Sequence, residues 1–296
     1  MTTQPDTPTG VIHDIGYRGY QGPRLGRGYA TRSLFVQSLR AAFGLGRSAK
    51  SKVLPMLMLA AVVLPAGVVV SVAVLQQSDQ LSTDYPQYLS GVGLLFIEIF
   101  VAAQAPVLLS RDLRYHSVPL YFSRPITRTD YVRAKCAAMV CALLVVTVLP
   151  LLVLFVGAVL AGMDLGHQSA HLAYGLLAAL LYSLVFAAIG LLLAAATPRR
   201  GFGVAAIMGV LVVSGVVAEI VYGLGGGLHQ EPSTTANWAF VLSPAGLVQR
   251  FVDQVCGLTP DFAGTPGTLG TVVFAVELLA ITAGSYALLL RRYRKI

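Results

Sequence analysis

Six long apolar runs divide this chain, and the basic residues between them fall almost entirely on one side. The runs cover roughly residues 53–75, 88–109, 136–162, 171–196, 202–223 and 269–290. Each has about the 20 residues that cross a hydrocarbon core as a helix. An even number of crossings returns both ends of the chain to one face. That face collects eight Lys and Arg before residue 53, six between Arg111 and Lys135, the pair Arg199 and Arg200, and four from Arg291 to Lys295. Of the 21 Lys and Arg residues, the opposite loops hold only Arg250. Cytoplasmic loops are enriched in Lys and Arg, so the basic face and both termini are expected in the cytoplasm. The loop 224–268 is long enough to weigh less in that count.

A chain that is 56% hydrophobic and 11% charged cannot hide its apolar surface in one soluble core. The expected class is an all-α, multi-pass membrane protein. A net charge of +8 would suit nucleic acid, but the positive charge lies beside the spans and forms no separate basic domain. No nucleic-acid partner is expected. The first 52 residues are polar, Gly-rich and basic, and the first apolar run is too long for a signal-peptide core, so insertion through uncleaved spans is expected. Cys136 and Cys141 fall in the third run and Cys256 in the last outer loop, a spacing that suggests neither a metal site nor a disulfide framework.

The expected organisation is a flexible cytoplasmic segment 1–29 with little apolar periodicity, an amphipathic interfacial connecting helix 30–52, a transmembrane domain 53–290 and a basic tail 291–296. Between Ala30 and Phe43 the apolar residues Leu34, Phe35, Leu39, Ala42 and Phe43 recur at helical spacing, interrupted by Arg32, Gln37 and Arg40. Such a helix lies in the cytoplasmic interface or packs on another subunit. In the loop 111–135, Pro119 and Pro125 bracket a short, partly apolar helix or turn, and Thr127 followed by Asp130 reads as a capping box that starts a helix continuing through Val132 into the third span. In the last outer loop, Ser243 and Pro244 read as N-cap and first residue of an amphipathic helix. Its apolar face carries Leu247, Val248, Phe251, Val252 and Val255, suited to dipping into the outer leaflet or capping a cavity. Trp238 and Phe240 suit the headgroup region. Lys50 and Lys52 are placed to anchor the first span at the lipid headgroups.

Chemistry is sparse. Gly44 to Ser51 reads GLGRSAKS, a near miss to a phosphate-binding loop with Ala49 where the second glycine belongs, and it leads into a span instead of a soluble helix. His167 and His171 stand four apart at the start of the fourth run without a third ligand nearby. No H-E-x-x-H, G-x-S-x-G or carboxylate cluster suggests hydrolysis. Three acidic residues fall within runs: Glu98 in the second, Glu219 in the fifth and Glu277 in the sixth. A charge at mid-membrane costs roughly 2.5 to 3.5 kcal/mol on insertion scales, so something must offset it. Each Glu is part of a polar substrate path, a proton-sensitive switch, or a neutral group bonded between helices.

The loop from Asp112 to Lys135, with the run Pro119-Leu-Tyr-Phe-Ser-Arg-Pro125, resembles the cytoplasmic loop between spans two and three of bacterial ABC-2 type transporter permeases. Gly16 to Arg24 (GYRGYQGPR), Ser38 to Arg47 (SLRAAFGLGR) and Leu242 to Gly246 (LSPAG) are similar to actinobacterial members. The resemblance implies the membrane subunit of an ATP-binding cassette exporter, paired with a second permease copy or paralogue and with separate cytoplasmic ATPase subunits. ATP and Mg would bind those partners, and no cofactor would bind this chain. It also implies that Tyr115, His116, Ser117, Val118, Pro119, Leu120, Tyr121, Phe122, Ser123 and Arg124 form a short coupling helix. Tyr121 and Phe122 would enter a groove of the ATPase and Arg124 would pair with acidic groups there. Leu34, Phe35, Leu39, Arg40 and Phe43 would belong to the connecting helix, Leu247, Phe251 and Val255 to an outer gate helix, and Glu98, Glu277 and Glu219 to the translocation path. A membrane enzyme acting on lipid-linked substrates and an ATP-independent carrier are the alternatives; no inverted repeat points to the carrier.

Overall fold

The structure is a computed structural model that describes residues 22, 25–114, 121–122, 126–197, 199–227, 236–258 and 267–294. Every regular element among the described residues is helical. A first helix, α1 (Arg27–Ala42), precedes α2 (Ala49–Leu75), α3 (Tyr85–Arg114), α4 (Arg128–Leu160), α5 (Leu165–Ala196) and α6 (Gly201–Gly226). A 3₁₀ turn (Ala236–Leu242), α7 (Pro244–Val255) and α8 (Gly267–Arg294) complete it. The six helices α2 to α6 and α8 are long and apolar enough to cross a membrane.

Burial is graded across these six. The most apolar stretch of α3 is 72% buried and that of α5 56%, whereas α6 reaches only 17% and α2 and α8 22% each. The central helix is therefore α3, closed in by α2, α4, α5 and α6, with α8 against α4 and α5. The outer helices expose large aliphatic side chains, among them Leu64, Val68, Val216, Ile220, Val276 and Leu279. So much continuous apolar surface is stable only against hydrocarbon or another apolar face.

Lipid tails give helices no hydrophobic reason to associate, so close approach of backbones at small residues carries the packing. Gly157 of α4 lies against Val70 of α2, where an added Cβ would sit 2.5 Å from Val70 Cγ1. Gly190 of α5 meets Val101 of α3 at the same 2.5 Å. Tyr88 adds a polar tie, its hydroxyl donating to the Val62 carbonyl of α2.

The helices overrun the apolar stretches at their charged ends. The span predicted from residue 136 is the upper part of α4, which starts at Arg128 behind the capping box expected at Thr127 and Asp130. The Thr127 hydroxyl accepts from the Asp130 N–H at 3.3 Å, and the Asp130 carboxylate accepts from the Thr127 N–H at 3.1 Å. The basic residues that end the apolar run do not end the helix, because Lys135 is buried and paired with Asp112 at 2.9 Å.

The segment 30–52 is not one helix. The chain turns after Ala42 at Gly44, whose φ of +68° is a left-handed value and where a Cβ would sit 2.4 Å from the Ser51 carbonyl oxygen. Lys50 and Lys52 thus belong to the first turns of α2. α1 docks on its own chain, packing on α4 and α3 through Leu34, Ser38 and Ala42, with the Phe43 ring 5.7 Å from Phe100. Phe35 and Leu39 are half-buried at the edge of this face, and Arg40 points away from it.

Replacing Gly157 by Val forces α2 away from α4. We expect a loss of about 1–3 kcal/mol of stability, read as a lower midpoint of thermal unfolding in detergent, with Gly67→Val, whose position has open space, much less affected.

Candidate functional site

Two helices that carry acidic residues face one another across a cavity of about 500 Å³ near the end of the molecule opposite the basic cluster. α3 contributes Ser90, Leu94 and Glu98, spaced four apart along one stripe. α6 contributes Leu211, Gly215 and Glu219 at the same spacing, with Val212, Val216 and Ile220 beside them. Phe240, Ser243, Ala245, Gly246 and Gln249 close it from the 3₁₀ turn and α7. Glu98 is only 4% exposed, and among the described residues no hydrogen bond or ion pair reaches its carboxylate. Glu219 is exposed at the other wall.

Both helices carry a π-helical turn beside the cavity: Leu89–Gly93 in α3 and Gly209–Val213 in α6. Such turns widen the helix and loosen its hydrogen-bond ladder, and they are frequent at functional positions. Serine hydroxyls take up nearby carbonyls, Ser90 donating to Gln87 at 3.2 Å and Ser214 to Leu211 at 3.0 Å.

α7 packs on α5, α6 and α8 and is held at its start by Ser243, whose hydroxyl accepts from the Gly246 N–H at 3.1 Å. Its Arg250 stacks over Phe240, 4.1 Å from the ring centroid, and over Tyr222 at 5.6 Å. Burial lowers the pKa of this guanidinium, while the charges of Asp253 and Glu219 act the other way. One turn on, Asp253 is 2% exposed and one of its oxygens has no hydrogen-bond partner. Desolvation pushes its carboxyl up to about 6, helped by the negative charge of Asp84 and opposed by Arg250. Asp84 is itself bonded to the His171 ring at 3.0 Å, and Tyr85 donates to Gln168 at 2.7 Å, so the start of α3 is tied to the start of α5.

At the opposite end, α1, α4 and α8 converge. Arg27 holds Asp130 through two bonds, Nε to Oδ2 at 2.5 Å and Nη2 to Oδ1 at 2.9 Å. Arg128 donates to the Arg294 carbonyl at 2.8 Å, tying the start of α4 to the end of α8. Asp112 receives both Lys135 and the Tyr131 hydroxyl, the latter at 2.7 Å. Tyr131 in turn is ringed by Tyr293, Tyr121 and Phe122, with centroids 5.2, 5.5 and 6.2 Å away.

The structure brings together two of the three intramembrane acids. Glu277 is half-buried on α8 and does not line the cavity with Glu98 and Glu219. In the expected coupling segment, Tyr115 to Leu120, Ser123 and Arg124 lie outside the described residues. Tyr121 and Phe122 lean inward on Tyr131 of their own chain, where the resemblance has them projecting into a partner. On α7, Leu247 is buried and Phe251 half-buried, but Val255 is 53% exposed at the end of the helix. The face expected to include Val255 ends a turn earlier, with Val252 and the buried polar Asp253. Phe240, expected among the headgroups, is buried beneath Arg250, whereas Trp238 is half-buried and meets Phe274 edge-on at 6.2 Å. Ser90, Gly215 and Gln249 were not singled out in the sequence; the i, i+4, i+8 stripe leading to Glu98 is the signal that points to Ser90. No family model and no curated protein matches this chain.

The raised carboxyl of Asp253 fixes the sign of a pH effect. The folded chain holds this proton up to about pH 6, whereas an unfolded Asp releases it near pH 3.9. Its contribution to stability is therefore lost as pH rises from about 4 to 6. Asp253→Asn should unfold at a temperature equal to or above wild type at pH 7.5, with that advantage shrinking toward pH 4.5. A thermal-unfolding series in which the variant is less stable at pH 7.5 and equal at pH 4.5 would contradict this assignment.

Proposed function

We propose that this chain is the membrane subunit of an ABC-2 type exporter, moving a hydrophobic or amphiphilic compound outward with ATP hydrolysed by separate cytoplasmic ATPase subunits. The observation that carries this reading is the cavity at Glu98. A carboxylate with no partner, set among aliphatic walls between two helices that are both broken by wide turns, suits a substrate path better than a structural core.

The sequence supports the rest. The stretch from Pro119 to Pro125 resembles the coupling loop of such permeases. In this reading the basic end faces the cytoplasm. The Arg27–Asp130 clamp and the aromatic stack on Tyr131 then stiffen the surface on which an ATPase docks. Closure of two ATPase subunits around ATP would press on that stiff end and tilt α3 and α4, changing access to the cavity at the far end. A second permease copy or paralogue would cover part of the exposed apolar surface of the outer helices, and membrane lipids the remainder.

A tagged chain purified from its native membrane should bring down an ATPase, and vesicles containing both should show ATP-dependent export. Arg124→Glu should leave insertion intact while separating ATP hydrolysis from export. Absence of any co-purifying ATPase, together with transport that proceeds without ATP, would reject the proposal. Orientation is checked independently. In a cysteine-free background, Ser123→Cys should resist a membrane-impermeant maleimide on intact cells and react once the cells are opened.

A further inference from the structure

We propose that the cavity between α3, α6 and α7 is a cation seat that binds a hydrophobic molecule carrying a permanent or protonated positive charge, with that charge placed against Glu98. The inference rests on the reading of this cavity as a substrate path and names the class of substrate it accepts.

The charge balance of the lining is one-sided. Among the described residues that form the cavity, the charged side chains are Glu98 and Glu219, one from each facing helix, and no Lys, Arg or His joins them. The two are not equivalent. Glu219 is exposed and within the electrostatic reach of Arg250, which offsets part of its field. Glu98 is 4% exposed, and among the described residues no hydrogen bond or ion pair reaches it. A carboxylate this little exposed and without a partner is disfavoured, and either a proton or a bound cation relieves it.

The remaining walls decide what kind of cation. Leu94, Leu211, Val216 and Ile220 present aliphatic surface, which rewards an apolar body and gives a small hydrated metal ion no replacement for its water. A volume of about 500 Å³ lies within the range of about 300–1,000 Å³ that holds an organic ligand. The start of α7 points into the same space, and a helix N-terminus ordinarily favours an anion. Here the first turn leaves only the Ala245 N–H for an anion among the described groups, set against two carboxylates. Pro244 has no N–H, the Gly246 N–H goes to the Ser243 hydroxyl, and the Leu247 N–H goes to the Ser243 carbonyl at 2.8 Å. Phe240 offers its ring to a cation, but Arg250 occupies it, which leaves Glu98 as the seat.

The test uses two ions of matched shape and opposite fixed charge, so that pH changes neither probe. The full chain in lipid nanodiscs, without ATP, is dialysed against tetraphenylphosphonium or tetraphenylborate, and uptake by empty nanodiscs is subtracted. We expect saturable binding of the phosphonium and none of the borate. Glu98→Gln should weaken phosphonium binding by about tenfold or more, the scale of one charge-assisted contact, and Glu219→Gln by less. If Glu98→Gln does not fold, the comparison of the two ions on the wild-type chain still decides. Borate bound as tightly as phosphonium, or phosphonium binding unchanged in a folded Glu98→Gln variant, overturns the assignment. Because the assay needs neither ATP nor a partner, its outcome is separable from the exporter reading. ATP-driven export of a neutral compound by a chain that binds no phosphonium removes the cation seat alone. Selective phosphonium binding without any ATP-dependent transport upholds the seat and removes the ATPase-driven reading alone.

Discussion

A charged group withdrawn from water has to be met by an opposite charge, a set of hydrogen bonds or an aromatic face, and this constraint arranges both ends of the molecule. At the basic end, Lys135 is buried because Asp112 and the Tyr131 ring receive it, and Asp130 because Arg27 grips both of its oxygens. At the other end, Asp84 meets His171, and Arg250 lies on two rings. These contacts join elements far apart in the chain, such as α1 with α4 and α3 with α5. Glu98 and Asp253 stand outside the pattern, and the functional argument grows from Glu98, which lines the cavity.

Between the two ends, cohesion has a different origin. The interior of a bundle surrounded by hydrocarbon gains little from hiding aliphatic groups, so contact distance matters most. Gly157 and Gly190 let α4 approach α2 and α5 approach α3 more closely than any side chain would permit. α3 can then be enclosed along most of its length, while α2, α6 and α8 keep their outward faces for lipid or a neighbouring subunit.

Local signals were readable in the sequence, and contacts across the chain were not. The six spans follow from runs of apolar residues, and the capping box at Thr127 and Asp130 and the Ser243–Pro244 helix start follow from three or four neighbouring positions. Lys135 ends the apolar run without ending the helix that starts behind Thr127, and the sequence does not show that its partner is Asp112 of another helix. Arg250 looked like a stray exception to the charge asymmetry until Tyr222 and Phe240 appeared beside it. Glu98 and Glu219 could each be flagged as costly acids, but nothing local says that they share one cavity while Glu277 stays apart. Val255 follows the heptad-like spacing of α7 yet falls where the helix ends and Gly257, at φ +65°, turns the chain away.

The wide turn in α6 has a geometric consequence for Glu219. Gly203 faces α3, where an added Cβ would sit 3.2 Å from Pro106 Cγ. At about 100° per residue, an unbroken helix would carry Glu219 round to about 160° from that direction, out toward the lipid. One surplus residue in Gly209–Val213 winds the phase back by about 100° and leaves the two within about 60° of each other. That insertion therefore acts as a rotational offset between the halves of α6. Excising a single residue there would keep the span almost as long and equally greasy, yet swing its only acid out of the chamber.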